Sequence, residues 1–240
     1  MKIPVVKEWG SWVVFSSSWL AALITGLLTR PWERARDYSS LTVMTILGLT
    51  ILINSKNPLT SVLRTRGKKK EHVIWFLFFS ISGLALLVPF LIDGIKGFSI
   101  FSLLVLSYVI LLYKGKEHSL FAELNGFAML TLSAPVIYFA VTGDLSLKLY
   151  AAVLLFFSAG VFKVRVRIRK TLTYRWIMAL YCVFAVTAYY ILDIAIIILL
   201  PLMENVISVI LMREEKLRTT GYTELIKSIV FIILMGMFWK

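Results

Sequence analysis

Apolar residues run along the chain in nine blocks with few polar interruptions, at about 11–29, 40–54, 73–92, 98–113, 119–141, 147–163, 174–191, 193–211 and 223–239. A helix needs about 20 apolar residues to cross a hydrocarbon core roughly 30 Å thick, so each block predicts a membrane-spanning helix. The blocks at 40–54 and 98–113 are short and call for snorkelling flanks or a thinned bilayer. The stretch 174–211 is too long for one span and contains Asp193 and Pro201, which predicts two helices joined tightly near Asp193. Arg30-Pro31 follows the first block where a cleavage site would carry small residues, so that block is read as a permanent span. No Gly/Ser linker or shift in composition divides the chain. The pattern therefore predicts an all-α polytopic membrane protein, with about nine transmembrane helices in one integral domain over residues 1–240.

Composition agrees. Of 240 residues, 59% are hydrophobic and 14% aromatic, seven of them Trp, and mean hydropathy is +0.85. Ordinary soluble domains are about 45–50% apolar. The single cysteine, Cys182, rules out an intrachain disulfide framework.

Net charge is +13, which by itself would fit nucleic acid or anionic lipid. Its distribution decides between them. With nine spans and a cytoplasmic N-terminus, 19 of the 26 Lys and Arg residues fall on the cytoplasmic face and six on the other, with Lys227 inside the last span. That is the positive-inside asymmetry of a multi-pass protein of the cell membrane. Membrane lipids are the expected partner, and nucleic acid is not.

Two basic tracts stand out on that face. In 53–72, Asn54, Asn57, Arg64 and Lys68 are candidate anion ligands. In 161–175, Lys163, Arg165, Arg167 and Arg169 alternate with apolar residues. On a strand these four share one face, whereas on a helix they spread around the axis. Arg can grip phosphate bidentately and Lys acts as a point charge, so converging groups of this kind suit a diphosphate.

A Lys-Glu pair recurs three times at the edge of an apolar block: Lys7-Glu8, Lys70-Glu71 and Lys116-Glu117. Glu8, Glu71 and Glu117 are expected to anchor the basic loops, with His72 and His118 beside the second and third pairs. Glu123 and Asn125 open the fifth block, where Glu123 is expected at the interface, paired with Lys114 or Lys116. Glu204 is an intramembrane charge and needs a cavity, a proton or a basic partner. Ser16, Ser17 and Ser18 mark an expected close helix contact. No Ser-His-Asp set, phosphate-binding Gly loop or redox cysteine pair occurs, and no catalytic residue is assigned.

The opening "KEWGSW", the stretch "GKEHSLFAELNGFAMLTLSAPVIYFAVTGD" and the basic tract after "FFSAGVF" resemble the YwiC-like family of membrane proteins. Lys7, Glu8, Gly10 and Trp12 match that family's opening pattern, while Trp9 replaces its His and Ser11 its Ala. More distantly, nine spans with functional loops after the second and sixth resemble UbiA-type intramembrane prenyltransferases. That resemblance implies a UbiA-like helical bundle binding an isoprenoid or lipid diphosphate at a basic cytoplasmic mouth. In that superfamily Asp-rich motifs hold Mg²⁺, but no Asp occurs anywhere in 38–92, and Lys and Arg fill the second loop. Mg²⁺ is therefore disfavoured, no metal site or other cofactor is assigned, and catalysis is left open. The alternative is a non-catalytic accessory or assembly subunit of a larger membrane complex.

Overall fold

A computed structural model of the chain describes residues 6, 8–29, 39–65, 68–115, 119–211 and 217–239. Among them every regular element is helical: α1 (Trp9–Thr29), α2 (Ser39–Ile53), α3 (Lys56–Thr65), α4 (Lys70–Phe98), α5 (Ser102–Tyr113), α6 (Leu120–Thr131), α7 (Ser133–Thr142), α8 (Leu147–Arg169), α9 (Leu172–Ile191), α10 (Met203–Leu211) and α11 (Leu217–Phe238). Short 3-10 turns cover Ser99–Phe101 and Ile196–Leu202.

Among the described residues seven helical stretches are long and apolar enough to cross a membrane: Trp9–Thr29, Lys70–Ile92, Gly94–Tyr113, Leu120–Thr142, Leu147–Arg169, Leu172–Ile191 and Thr219–Phe238. The other two apolar blocks are shorter. One is the 15-residue α2, and the other is Ile196–Ile207. The chain turns between 191 and 196, where Asp193 takes a left-handed conformation (φ 53°) and Ile194 N–H bonds the Tyr189 carbonyl at 2.9 Å.

Helix α1 is the hub and packs on α6, α7 and α11. Its inward stripe is small (Ser17, Ser18, Ala21, Ala22, Thr25 and Gly26 are all buried), which lets neighbouring backbones approach. Without water, these hydroxyls must find acceptors in the bundle. Ser18 donates to the Val14 carbonyl at 2.6 Å, and Ser133 of α7 reaches the Phe15 carbonyl of α1 at 3.2 Å. Helix α8 packs on α6 and α9. Tyr189 and Tyr181 of α9 donate to the Ala152 and Leu155 carbonyls of α8 at 2.9 and 2.7 Å. Phe156 of α8 stacks on Phe231 of α11 with ring centroids 3.9 Å apart. Helix α5 packs on α6 and leaves Leu103, Leu106 and Ile110 exposed, as lipid-facing side chains would be.

Two expectations need correcting. The tract at 163–169 is not a loop but the last two turns of α8, which ends where Lys170 adopts φ 49°. The tract at 53–72 is not simply a loop either, because α3 forms inside it. A helix preceded by Asn54 and Ser55, with Pro58 in its first turn, meets the usual conditions for a start. Both corrections bear on the site, because helices separate basic side chains that a strand or loop would gather.

Candidate functional site

One end of the bundle brings together the start of α1, the α2–α3 junction, the end of α5, the start of α6 and the end of α8. A cavity of about 520 Å³ opens there. Helix α3 contributes Lys56, Asn57, Thr60, Ser61 and Arg64, and α6 contributes Ala122, Glu123, Gly126, Phe127 and Leu130. Both sets follow the spacing i, i+1, i+4, i+5, i+8, one face of a helix in each case. Glu8 and Ser11 close the α1 side, and Tyr108 and Leu112 the α5 side. The cavity thus has a polar wall, on α3 and the start of α1, facing a largely apolar wall on α5 and α6. Glu123 is the one charge on the apolar side. Apolar walls with a few placed polar groups suit an amphiphilic ligand.

Glu8, Lys56 and Glu123 of the cavity are each tied to an opposite charge. Lys56 Nζ lies 2.8 Å from Glu8 Oε2, which also accepts from the Ser11 hydroxyl at 2.9 Å. Arg165 Nε donates to Glu123 Oε2 at 2.8 Å. Glu123 therefore pairs with Arg165 and, among the described residues, not with the expected Lys114, while the other expected partner, Lys116, lies outside them; through this pair α8 braces the cavity wall. Val6, ahead of α1, is held as well. Val6 N–H bonds Asn54 Oδ1 at 3.1 Å, and the Trp12 indole donates to the Val6 carbonyl at 2.9 Å.

Hydrogen-bonded to Glu8, the Lys56 ammonium holds its carboxyl below the ordinary glutamate value of 4.5, against the opposing pull of partial burial. A lowered carboxylate pKa gives stability that is present above the unfolded value and lost as pH falls through the folded one. The protection factor of the Val6 amide should accordingly stay level from about pH 8 to about pH 5 and fall below the ordinary glutamate range. In Glu8→Gln that fall should be absent. An identical fall in the variant would count against the pair as its cause.

A second constellation lies within the bundle. Lys163 of α8 donates to Glu204 of α10, and to Glu224 Oε1 of α11 at 2.8 Å. Lys227 of α11 lies 2.9 Å from Glu224 Oε1 and 3.4 Å from Glu204 Oε2, and also donates to Asn205 Oδ1. The lysine side chains are 3% and 7% exposed, the carboxylates 31% each. Two cations and two anions from three helices form a neutral quartet, the arrangement that makes intramembrane charge tolerable.

The residues singled out from the sequence are thus divided. Asn57 and Arg64 line the cavity. Asn54 sits behind it, its side chain accepting from Val6 and donating to the Thr50 carbonyl at 2.9 Å. Glu123 is in the wall, and Asn125 turns away to meet the Ser107 hydroxyl of α5 at 2.5 Å. Arg165 braces Glu123 from behind, whereas Arg167 engages Thr220 of α11 and Arg169 is exposed. Lys163 is saturated by two carboxylates inside the bundle, so it is no part of an anion mouth. Lys68 and Glu71 are exposed and His72 half-buried, none of them lining the cavity. Gly10 and Trp12 lie in the first turn of α1. Lys7, Glu117 and His118 lie outside the described residues.

Sequence reasoning missed Lys56, Glu224 and Lys227. The Lys56, Asn57, Thr60, Ser61, Arg64 stripe was the available signal for the first, and a Glu-Lys pair at i, i+3 inside an apolar run for the others.

The donor set does not fit the Mg²⁺ that the UbiA resemblance implies. The two cavity carboxylates are each held by a cation, and no Asp or Glu occurs in 54–65, where the acidic motif would lie. Among the described residues no group of three or more His, Cys, Asp or Glu could hold a metal ion. No family model, curated protein or solved structure matches this chain.

Proposed function

We propose that the chain binds a phosphate-bearing lipid, an isoprenoid or other lipid diphosphate, with its headgroup in this cavity and its tail against α5 and α6. The single observation that carries the proposal is the cavity's two-sided lining. A wall of Lys56, Asn57, Thr60, Ser61 and Arg64 faces a wall of Tyr108, Leu112, Phe127 and Leu130. A headgroup with oxygen acceptors matches the first and a hydrocarbon chain the second. The proposal places the cavity on the cytoplasmic side of the cell membrane, with α2 and the 194–211 segment completing nine crossings. Kinship with the YwiC-like family, and more distantly with UbiA-type prenyltransferases, belongs to the same proposal.

The test is reconstitution in nanodiscs and titration with a polyprenyl diphosphate, with and without Mg²⁺. Binding is expected in both conditions and should not require the metal. Absence of binding in either condition overturns the reading. Gly126→Leu gives an internal control. A Cβ at Gly126 meets nothing closer than Tyr108 Cε2 at 3.9 Å and Gly126 lines the cavity, so a leucine there is expected to enter it. It should occupy the tail's place and weaken binding at least about tenfold, while the protein stays monodisperse. Unchanged affinity in Gly126→Leu would place the ligand elsewhere.

A further inference from the structure

We infer that Lys56 is the cavity's principal phosphate ligand, and that Glu8 is a built-in competitor which a ligand phosphate must displace. The inference rests on the lipid-binding reading and adds to it which side chain receives the headgroup and what opposes its entry.

Lys56 is the first residue of α3, so its side chain stands at one end of the polar stripe that lines the cavity. Its ammonium has two recorded contacts, Glu8 Oε2 at 2.8 Å and the Ser11 hydroxyl at 3.5 Å. The position a phosphate oxygen would take on this lysine is thus held by a carboxylate oxygen, a group of the same charge and hydrogen-bonding kind. The two acidic side chains of the cavity differ in how firmly they are held. Glu8 is 62% exposed and meets a lysine that is itself 30% exposed. Exposed pairs of this sort are weakly held, because water screens them and two long side chains must be ordered. Glu123 is 38% exposed and meets an arginine that is only 13% exposed, itself part of α8. An entering phosphate therefore displaces Glu8, whose side chain can turn into water, and leaves Glu123 in place.

A second consequence concerns selectivity. A neutral lipid has no means of breaking the Lys56–Glu8 pair, whereas a phosphate replaces the contact it removes. Glu8 therefore acts as a filter against uncharged amphiphiles that would otherwise occupy the apolar wall.

The experiment is a double-mutant cycle on Glu8 and Lys56 in nanodiscs, titrated in parallel with a polyprenyl diphosphate, the corresponding polyprenol and inorganic pyrophosphate. Glu8→Gln keeps the size and the Ser11 contact but removes the competing charge. It should tighten diphosphate binding about three- to fivefold, the range expected for releasing one exposed pair. Lys56→Met should weaken binding about tenfold or more, and Glu8→Gln should then have no effect in the Lys56→Met background. The polyprenol should bind the wild type weakly and gain in Glu8→Gln. Tightening for the polyprenyl diphosphate without tightening for pyrophosphate assigns the phosphate to a lipid, and tightening for pyrophosphate as well assigns it to a free anion; both support the inference. Unchanged or weaker diphosphate binding in Glu8→Gln, or an equal gain in the Lys56→Met background, overturns it while leaving the lipid-binding reading intact. Failure of the wild type to bind any phosphate probe sinks that reading itself. Glu123→Gln serves as the contrast, since loss of the Arg165 brace should not tighten binding.

Discussion

Lys163→Met is expected to cost about 3–5 kcal/mol of stability and to sharply reduce the yield of monodisperse protein in mild detergent. Lys163 is 2% exposed and supplies hydrogen bonds to both Glu204 and Glu224. Without it, Glu204 and Glu224 both lose that ammonium in a site where water reaches them only partly, with Lys227 still in contact with each. The damage comes from the uncompensated charge rather than from the net worth of the original pairs. Desolvation of buried ions largely cancels their attraction, so replacing a whole buried pair with apolar groups is often neutral. The same reasoning gives the control. Lys163→Met combined with Glu204→Leu leaves the Lys227–Glu224 contact at 2.9 Å and a neutral site. That double variant should recover most of the lost yield. If the double variant is as damaged as the single one, charge balance is not what the quartet provides.

Seven of the nine expected spans are found as helices long and apolar enough to cross a membrane, because a lipid-facing helix leaves a long apolar run whatever it packs against. The quartet was not legible in this way. Glu204 was recognisable as an intramembrane charge, but its partners Lys163 and Lys227 lie 41 positions before it and 23 after it, on helices whose rotation no single run reveals. Lys163 was misread for a physical reason. Its alternation with Arg165, Arg167 and Arg169 would make one basic face on a strand and spread around a helix, and in α8 successive members lie about 200° apart. They accordingly meet different neighbours: Lys163 the quartet, Arg165 the cavity wall, Arg167 Thr220 of α11. The cavity itself was half-legible. Asn57 and Arg64 were named from composition, but reading 53–72 as a loop hid the helical stripe that includes Lys56. The apolar wall on α6 could not be seen at all, since a cavity-facing Gly126 and Phe127 read the same as lipid-facing ones.

Close helix contacts show the same limit, and they lead to a second strong expectation. Ser16–Ser18 signalled a close approach on α1, where Ser17 and Ser18 are indeed buried, but nothing in the sequence marked the meeting of α2 with α4. There a Cβ on Gly83 would lie 3.0 Å from the Gly48 carbonyl oxygen and 3.1 Å from the Leu52 backbone nitrogen. A Cβ on Gly48 would likewise lie 3.1 Å from the Gly83 carbonyl. Backbone atoms cannot rotate away as a side-chain tip can, so any side chain at Gly83 must push the helices apart. Gly83→Leu should therefore separate α2 from α4, and with α2 displaced, α3 and the polar wall of the cavity lose their support. Overpacking costs about 1–3 kcal/mol when side chains can adjust, and the backbone contact puts this case at the upper end. Diphosphate binding should be lost together with stability. Alanine separates packing from helix propensity, because in an unobstructed helix Gly→Ala is worth about 1 kcal/mol of stabilisation. At Gly126, where nothing lies within 3.9 Å, that gain should appear as a raised melting temperature. At Gly83 the clash should outweigh it and lower the melting temperature. If Gly83→Ala and Gly126→Ala shift the melting temperature in the same direction, the α2–α4 contact is not the close backbone crossing described above.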